Sequence, residues 1–244
     1  MFDQVAANKR RSALLIGGFV LLIVGVTAAL ELLLGFGRLW VVVALLVAGA
    51  SSVLAYWKSA SVALAMSHAR PADPVVYARL HNIVEGLCIA GGLPKPGVYV
   101  VEDPAPNAFA TGRNPQHAAI AVTTGLLEKL DRVELEGVVA HELAHIKNYD
   151  ILVSTLAVTL VGVVFMFPAP VAAKLMQVAV SRHREQLADM SGVLLTRYPP
   201  GLLSALEKLR DDNTAVHSAS RATAHLWIEG PVPLEHRIDA LREL

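Results

Sequence analysis

Two uncharged apolar runs near the N-terminus, Ser12–Leu30 and Leu39–Trp57, constrain the fold more than any other feature of the chain. Each is 19 residues long, close to the ~20 that a helix needs to cross a ~30 Å hydrocarbon layer. Glu31, Gly35, Gly37 and Arg38 lie between them and suit a tight extramembrane turn, so residues 1–58 are expected to form a transmembrane helical hairpin. A cleaved signal peptide is the competing reading of the first run. Its apolar part would be only ~7–15 residues, and a second span would not follow directly. Lys9, Arg10 and Arg11 precede the first run, Lys58 and Arg70 follow the second, and only Arg38 sits in the turn. The positive-inside rule then places the N-terminus and everything after Lys58 in the cytoplasm.

Composition agrees with partial membrane burial: 54% of residues are hydrophobic and 17% charged, against about 25% charged in ordinary soluble domains. Acidic and basic residues balance at 21 each, so nothing suggests a nucleic-acid partner. The single Cys88 rules out an intramolecular disulfide and a cysteine-built metal site, and reads as small core filling.

Residues 71–150 read as water-soluble. Pro74–Gly91 carries Val76, Leu80, Ile83, Val84 and Leu87 at helical spacing, with Gly91-Gly92 as its stop. Gly97–Val101 is a strand candidate. Asn107–Thr111 and His117–Thr123 form a predicted pair of strands around the turn Gly112–Pro115. Asp131 with Glu134 three residues later predicts a capped helix start. Ile151–Val180 is apolar apart from Lys174 and broken at Pro168 and Pro170, which predicts two antiparallel helices that cross the bilayer, dip into it, or form a buried core hairpin. Gly201–Arg210 and Leu234–Leu244 read as helices, and Asp211–Arg221 as a polar loop.

The helix after Asp131 contains His141, Glu142 and His145, in the pattern H-E-x-x-H. Residues four apart share a helix face, so both imidazoles project together and can share one metal ion. Neutral imidazole suits zinc, and Glu142 emerges where it can take a proton from water. A catalytic zinc takes three protein ligands and leaves one position open. The best third ligand is Glu185, in the run Ser181–Asp189. Glu185 and Asp189 are also four apart, so one can bind metal while the other accepts a ligating imidazole's N–H. The bland alternative makes Arg182, Arg184, Glu185 and Asp189 a solvated charged face. His183 points to another face, and His68, His81 and His117 lack ligand spacing.

Together these residues resemble the M48 metallopeptidase family, most closely its HtpX-type membrane heat-shock proteases. The resemblance covers nearly the whole chain. It rests on the apolar hairpin, Asn107-Ala-Phe-Ala-Thr-Gly-Arg113, Glu134–Asn148 and Ser181–Asp189. It implies a mainly α, gluzincin-like zinc metallopeptidase domain over residues 59–244, with a small β-sheet and the apolar hairpin 151–180 inserted. It also implies one Zn2+ held by His141, His145 and Glu185, with Glu142 as catalytic base and Asp189 supporting a ligand. The implied protein is a multi-pass endopeptidase of the bacterial inner membrane. It would act on cytoplasmic segments of misfolded or damaged membrane proteins.

By the same resemblance Asn107–Arg113 line the cleft. A strand edge beside the metal can bind extended substrate by strand addition, making Asn107, Ala108, Phe109 and Ala110 candidate substrate contacts. The other reading is a plain hairpin. Two departures stand out. The 151–180 insert is short for the family, and Pro231 stands where the family's His-Pro-Pro run begins, which leaves His225 or His236 to steady an oxyanion. Arg237 matches the family pattern, and either anchors the C-terminal helix near the site or pairs with a surface carboxylate. The alternatives to a protease of this kind are a non-catalytic membrane adaptor and a prenyl-peptide protease. The latter would need more apolar spans than the chain has.

Overall fold

The computed structural model describes residues 2–35, 38–156, 182–212, 214, 226–228 and 233–244. Two long helices lead the chain, α1 (Phe2–Leu34) and α2 (Arg38–Met66), packed against each other. Within α1, Val5–Leu33 is long and apolar enough to cross a membrane. Leu14, Leu21 and Leu32 of α1 and Leu39, Trp40 and Leu46 of α2 are exposed, as lipid-facing side chains would be.

α2 departs from the expected Leu39–Trp57 span. Its axis turns by 67° between Leu39–Leu54 and Tyr56–Met66. The straight part is about 16 residues and ~24 Å long, short of the ~30 Å hydrocarbon layer. The helix also runs on past residue 58 to Met66. Its last turns are held by packing, since Leu64 joins Val101, Phe109, Ala119, Ala121 and Trp227 in a buried cluster. Among the described residues there is one helix fit to span, or two if the bent pair forms one crossing.

A four-stranded sheet follows, comprising β1 (Arg70–Pro71), β2 (Gly97–Val101), β3 (Ala108–Gly112) and β4 (Ala118–Thr123), in the order β1-β2-β4-β3. β2 and β4 are parallel and the other two pairings antiparallel. β3 is therefore an edge strand. β4 starts one residue later than the sequence suggests because Pro115–His117 forms a 3-10 turn. β1, only two residues long, is too short to leave an alternating pattern.

Helix α3 (Ala78–Gly91) begins four residues beyond Pro74. The Asp73 carboxylate accepts the amides of Val75 and Val76 and holds the intervening residues in turns. It ends at Gly92, whose left-handed φ of 63° is the conformation glycine adopts freely. Cys88 of α3 is core filling, and burial pushes its thiol up to about 11. A short α4 (Thr124–Lys129), capped by Thr123, was not evident from sequence.

Helix α5 (Arg132–Lys147) is the central beam, packed against α3, β3, α6 (Arg182–Thr196) and α7 (Pro199–Arg210), with α8 (Leu234–Arg242) on α6 and α7. It is buried nearly all round, which is why its apolar residues make no single stripe. The expected cap is present: Asp131 accepts the amides of Val133 and Glu134, and Glu134 accepts that of Asp131. Glu134 also accepts Ser204 Oγ at 2.6 Å and Lys208 Nζ at 2.7 Å from α7. A local cap is thus also a tertiary joint. Gly137 lets α7 touch α5, for a Cβ there would lie 2.6 Å from the Leu202 backbone nitrogen.

Residues 150–156 are helical, and the rest of the expected 157–180 hairpin lies outside the described residues. So do Pro231, His225 and most of the expected Asp211–Arg221 loop.

Burial opposes ionisation of Glu134, but hydrogen bonds from Lys208, Ser204 and the Asp131 amide outweigh it and hold the carboxyl below the usual value. A depressed pKa stabilises the fold above the unfolded value near 4.3 and loses that contribution as pH falls through the folded value. Glu134→Ala is expected to lower unfolding free energy by about 2 kcal/mol at neutral pH. In denaturant titrations the gap from wild type should close below about pH 4.

Candidate active site

α6 crosses α5 at the first histidine of the motif. Gly192 makes this possible, since a Cβ there would stand 3.0 Å from the His141 backbone nitrogen. With the backbones that close, Asp189 and Glu185, one and two turns earlier on α6, reach the imidazoles. His141 Nε2 and His145 Nε2 are 3.1 Å apart. Glu185 Oε2 lies 3.6 Å from the first and Glu185 Oε1 3.6 Å from the second. Ligand atoms about 2.0–2.1 Å from a tetrahedral zinc-sized cation would lie about 3.3–3.4 Å apart, so this cluster has the right size.

The orientation of each imidazole has a cause. His141 Nδ1 faces Asp189 Oδ1 at 2.8 Å, and His145 Nδ1 faces Asp150 Oδ2 at 3.1 Å. A carboxylate takes an N–H, so each Nδ1 keeps its proton and each Nε2 is the nitrogen that turns inward. Arg237 Nη2 also lies 3.3 Å from His141 Nδ1. The guanidinium can only donate, so the shorter carboxylate contact decides the tautomer. Two inward-facing Nε2 atoms and a carboxylate then converge, with room for at most one proton between the nitrogens. His141, His145 and Glu185 could hold a metal ion.

The site is dry on one side and open on the other. His141, Glu142, Asp189 and Arg237 are buried, while His145 and Glu185 keep 15% and 25% of their side chains exposed. Burial would lower the histidine values. Glu185 and Asp150 outweigh it at His145, which is held well above the ordinary range, and Asp189 and Glu185 raise His141. Burial also opposes ionisation of Glu185 and Asp189, but the histidines and Arg237 keep both below the usual carboxylate range, Glu185 strongly so. Glu142 is raised, chiefly by burial, against the opposing pull of the two histidines.

Arg237 sits inside the site. Its Nε donates to Asp189 Oδ2 at 2.9 Å and its Nη2 to Asp189 Oδ1 at 2.7 Å, a bidentate fork that fixes the carboxylate facing His141. Nη1 donates to the Ile228 carbonyl at 2.9 Å. The same Ile228 donates its amide to Ala108 O on β3. The side chains of Asn107, Ala108, Phe109 and Ala110 are buried, with Phe109 edge-on to Trp227 at 4.7 Å. β3 can therefore meet a ligand through its backbone, and at Ala108 the carbonyl is taken by the chain's own Ile228.

His183 and His236 are exposed, and neither belongs to the cluster. His117 bonds Asn114, and His81 contacts the Ala72 carbonyl. Sequence reasoning missed Asp150. Its one signal was a carboxylate placed just past the end of the motif helix, five residues after His145. It reaches back because Tyr149 takes a left-handed φ of 60° and reverses the chain.

The sequence profile described as peptidase family M48 matches residues 74–244. A protease HtpX homolog of Tropheryma whipplei is 43% identical, covering 96% of this chain and 90% of its own. Those of Dictyoglomus turgidum and Levilactobacillus brevis are 35% and 37% identical, covering 99% and 95% of this chain and 94% and 91% of theirs.

Glu185→Gln removes the charged member of the cluster from its partly exposed side, where the fold tolerates it. Affinity for a divalent metal, measured by chelator competition, is expected to fall by more than the roughly 10–100-fold typical of an outer partner, with the circular dichroism spectrum unchanged.

Proposed function

This chain belongs to peptidase family M48, and on that premise we propose that it is a membrane-anchored zinc endopeptidase that cleaves cytoplasmic segments of misfolded or damaged membrane proteins. The observation that carries the reading is the convergence of two inward-facing Nε2 atoms and the Glu185 carboxylate beside the buried Glu142. Imidazole and carboxylate donors without sulfur suit zinc, and three protein ligands leave a fourth position open. Zinc bound there supplies Lewis acidity, polarising a carbonyl and acidifying water.

The residues of the chain do the rest. Glu142 takes the proton from the attacking water and hands it to the leaving amine. Its raised pKa suits both halves of that exchange, because a base that must later act as an acid works best near the working pH. Arg237 and Asp189 hold His141 in register. In this reading β3 presents backbone to an extended substrate strand, which runs alongside or displaces Ile228.

Three features support membrane anchorage with a cytoplasmic catalytic domain. α1 is long and apolar enough to cross. Lys9, Arg10 and Arg11 sit near its start, as the positive-inside rule asks of a cytoplasmic end. Trp40 lies near one end of the straight part of α2, and Tyr56 and Trp57 near the other, as in an interfacial aromatic belt. Arg113 of the β3–β4 turn stacks on Trp57 at 4.3 Å, tying the sheet to that boundary. On this reading the bent α2 is the second span.

Glu142→Gln is expected to lower kcat/KM on an unfolded protein substrate by about 10²–10⁴-fold while zinc stoichiometry stays at wild type. Full zinc binding by wild type without cleavage of any polypeptide would point to a non-catalytic adaptor instead.

A further inference from the structure

The N-terminal helix does more than tether the domain. Asn8 of α1 is fully buried, in the charged flank that precedes the first apolar run. Its Nδ2 donates to the Asn148 carbonyl at 2.9 Å and to Asp150 Oδ1 at 2.6 Å. Both partners are acceptors, so only the amide nitrogen can face them, and both of its hydrogens are used. Asp150 Oδ2, the other oxygen of that carboxylate, faces Nδ1 of His145. One amide, one carboxylate and one imidazole thus run in a line from the membrane helix to the metal-facing Nε2.

The surrounding contacts grip the same turn. Tyr149, between Asn148 and Asp150, holds a left-handed φ of 60°, a conformation that a bulky residue adopts only when its neighbours enforce it. Lys9, next to Asn8, lies over the Tyr149 ring at 4.7 Å. Leu15 and Phe19, further along α1, pack with Leu152, Val153 and Leu156 just past the turn. Arg184 of α6 is buried, has no hydrogen-bond partner at Nε or Nη1 among the described residues, and interacts electrostatically with Asp150. α1 therefore clamps the backbone, the aromatic ring and the carboxylate of residues 148–150 together.

We infer that Asn8 is a positioning residue for the metal site: by fixing Asp150 from the membrane helix, it sets the tautomer and direction of the ligand His145. The inference rests on the zinc reading above, and it makes α1 part of the catalytic centre. Without the Asn8 amide, Asp150 loses the donor that fixes its rotation. His145 then loses the partner that keeps its proton on Nδ1, and the site binds metal less tightly. Substrate contacts are untouched.

The test uses the full chain in detergent and measures zinc affinity by competition with a chromophoric chelator. Asn8→Leu, close to Asn in size, and Asn8→Ala are compared with Asp150→Ala and with the double variant Asn8→Leu/Asp150→Ala. Asp150→Ala is expected to weaken zinc binding about 10–100-fold and Asn8→Leu about 10-fold. The double variant should bind no more weakly than Asp150→Ala alone, because Asn8 acts through Asp150. At saturating zinc, KM should stay within about 2-fold of wild type in the Asn8 variants while kcat falls. Wild-type zinc affinity in a folded Asn8→Leu or Asn8→Ala protein overturns the inference, and so do independent, multiplying losses in the double variant. Failure of the wild-type protein to bind zinc overturns the metallopeptidase reading itself.

Discussion

His141 and His145 turn their Nε2 atoms to within 3.1 Å of each other because each has a buried carboxylate holding its Nδ1 proton. Free imidazoles placed that close would share a proton or swing apart. Asp189 and Asp150 remove the choice, and the third carboxylate, Glu185, closes the triangle. The helical spacing of H-E-x-x-H puts both rings on one face, but the two outer carboxylates turn that face into one that could hold a metal ion.

Each outer carboxylate arrives by a different route. Asp189 comes from α6, which can approach because position 192 is glycine, and the fork of Arg237 from α8 locks it. Asp150 comes from the same chain segment as the motif, turned back by the left-handed Tyr149, and is held by Asn8 from α1. The site thus draws on residues from the first helix to the last. The central α5 bears these loads because its N-terminal cap is shared with α7 through Glu134. Arg237 also couples the His-His-Glu cluster to the β3 edge, since the Ile228 carbonyl it binds belongs to the residue whose amide meets Ala108 on β3.

What could be read from the chain was whatever has a short period or a fixed spacing. The pairs His141/His145 and Glu185/Asp189 repeat at one helical turn, and Asp131/Glu134 marks the helix start that carries the first pair. The strand pair around Gly112–Pro115 was legible for the same reason. Long-range geometry was not. Asn8 and Asp150 are 142 positions apart, and no local pattern joins an amide near the start of α1 to a carboxylate behind His145. Beyond the bend in α2, Leu64 packs on the sheet, a tertiary contact that an uncharged run cannot report. Arg237 had two equal readings from sequence, because only the fold says whether a terminal helix lies over a site or over solvent.

Zinc-edge X-ray absorption on the purified full-length protein, loaded with one equivalent of zinc, tests the central claim most directly. The predicted spectrum has two imidazole nitrogens and one carboxylate oxygen, with one further light-atom ligand, at about 2.0–2.1 Å and no sulfur. A single imidazole, or zinc that stays fully hydrated, would contradict the account.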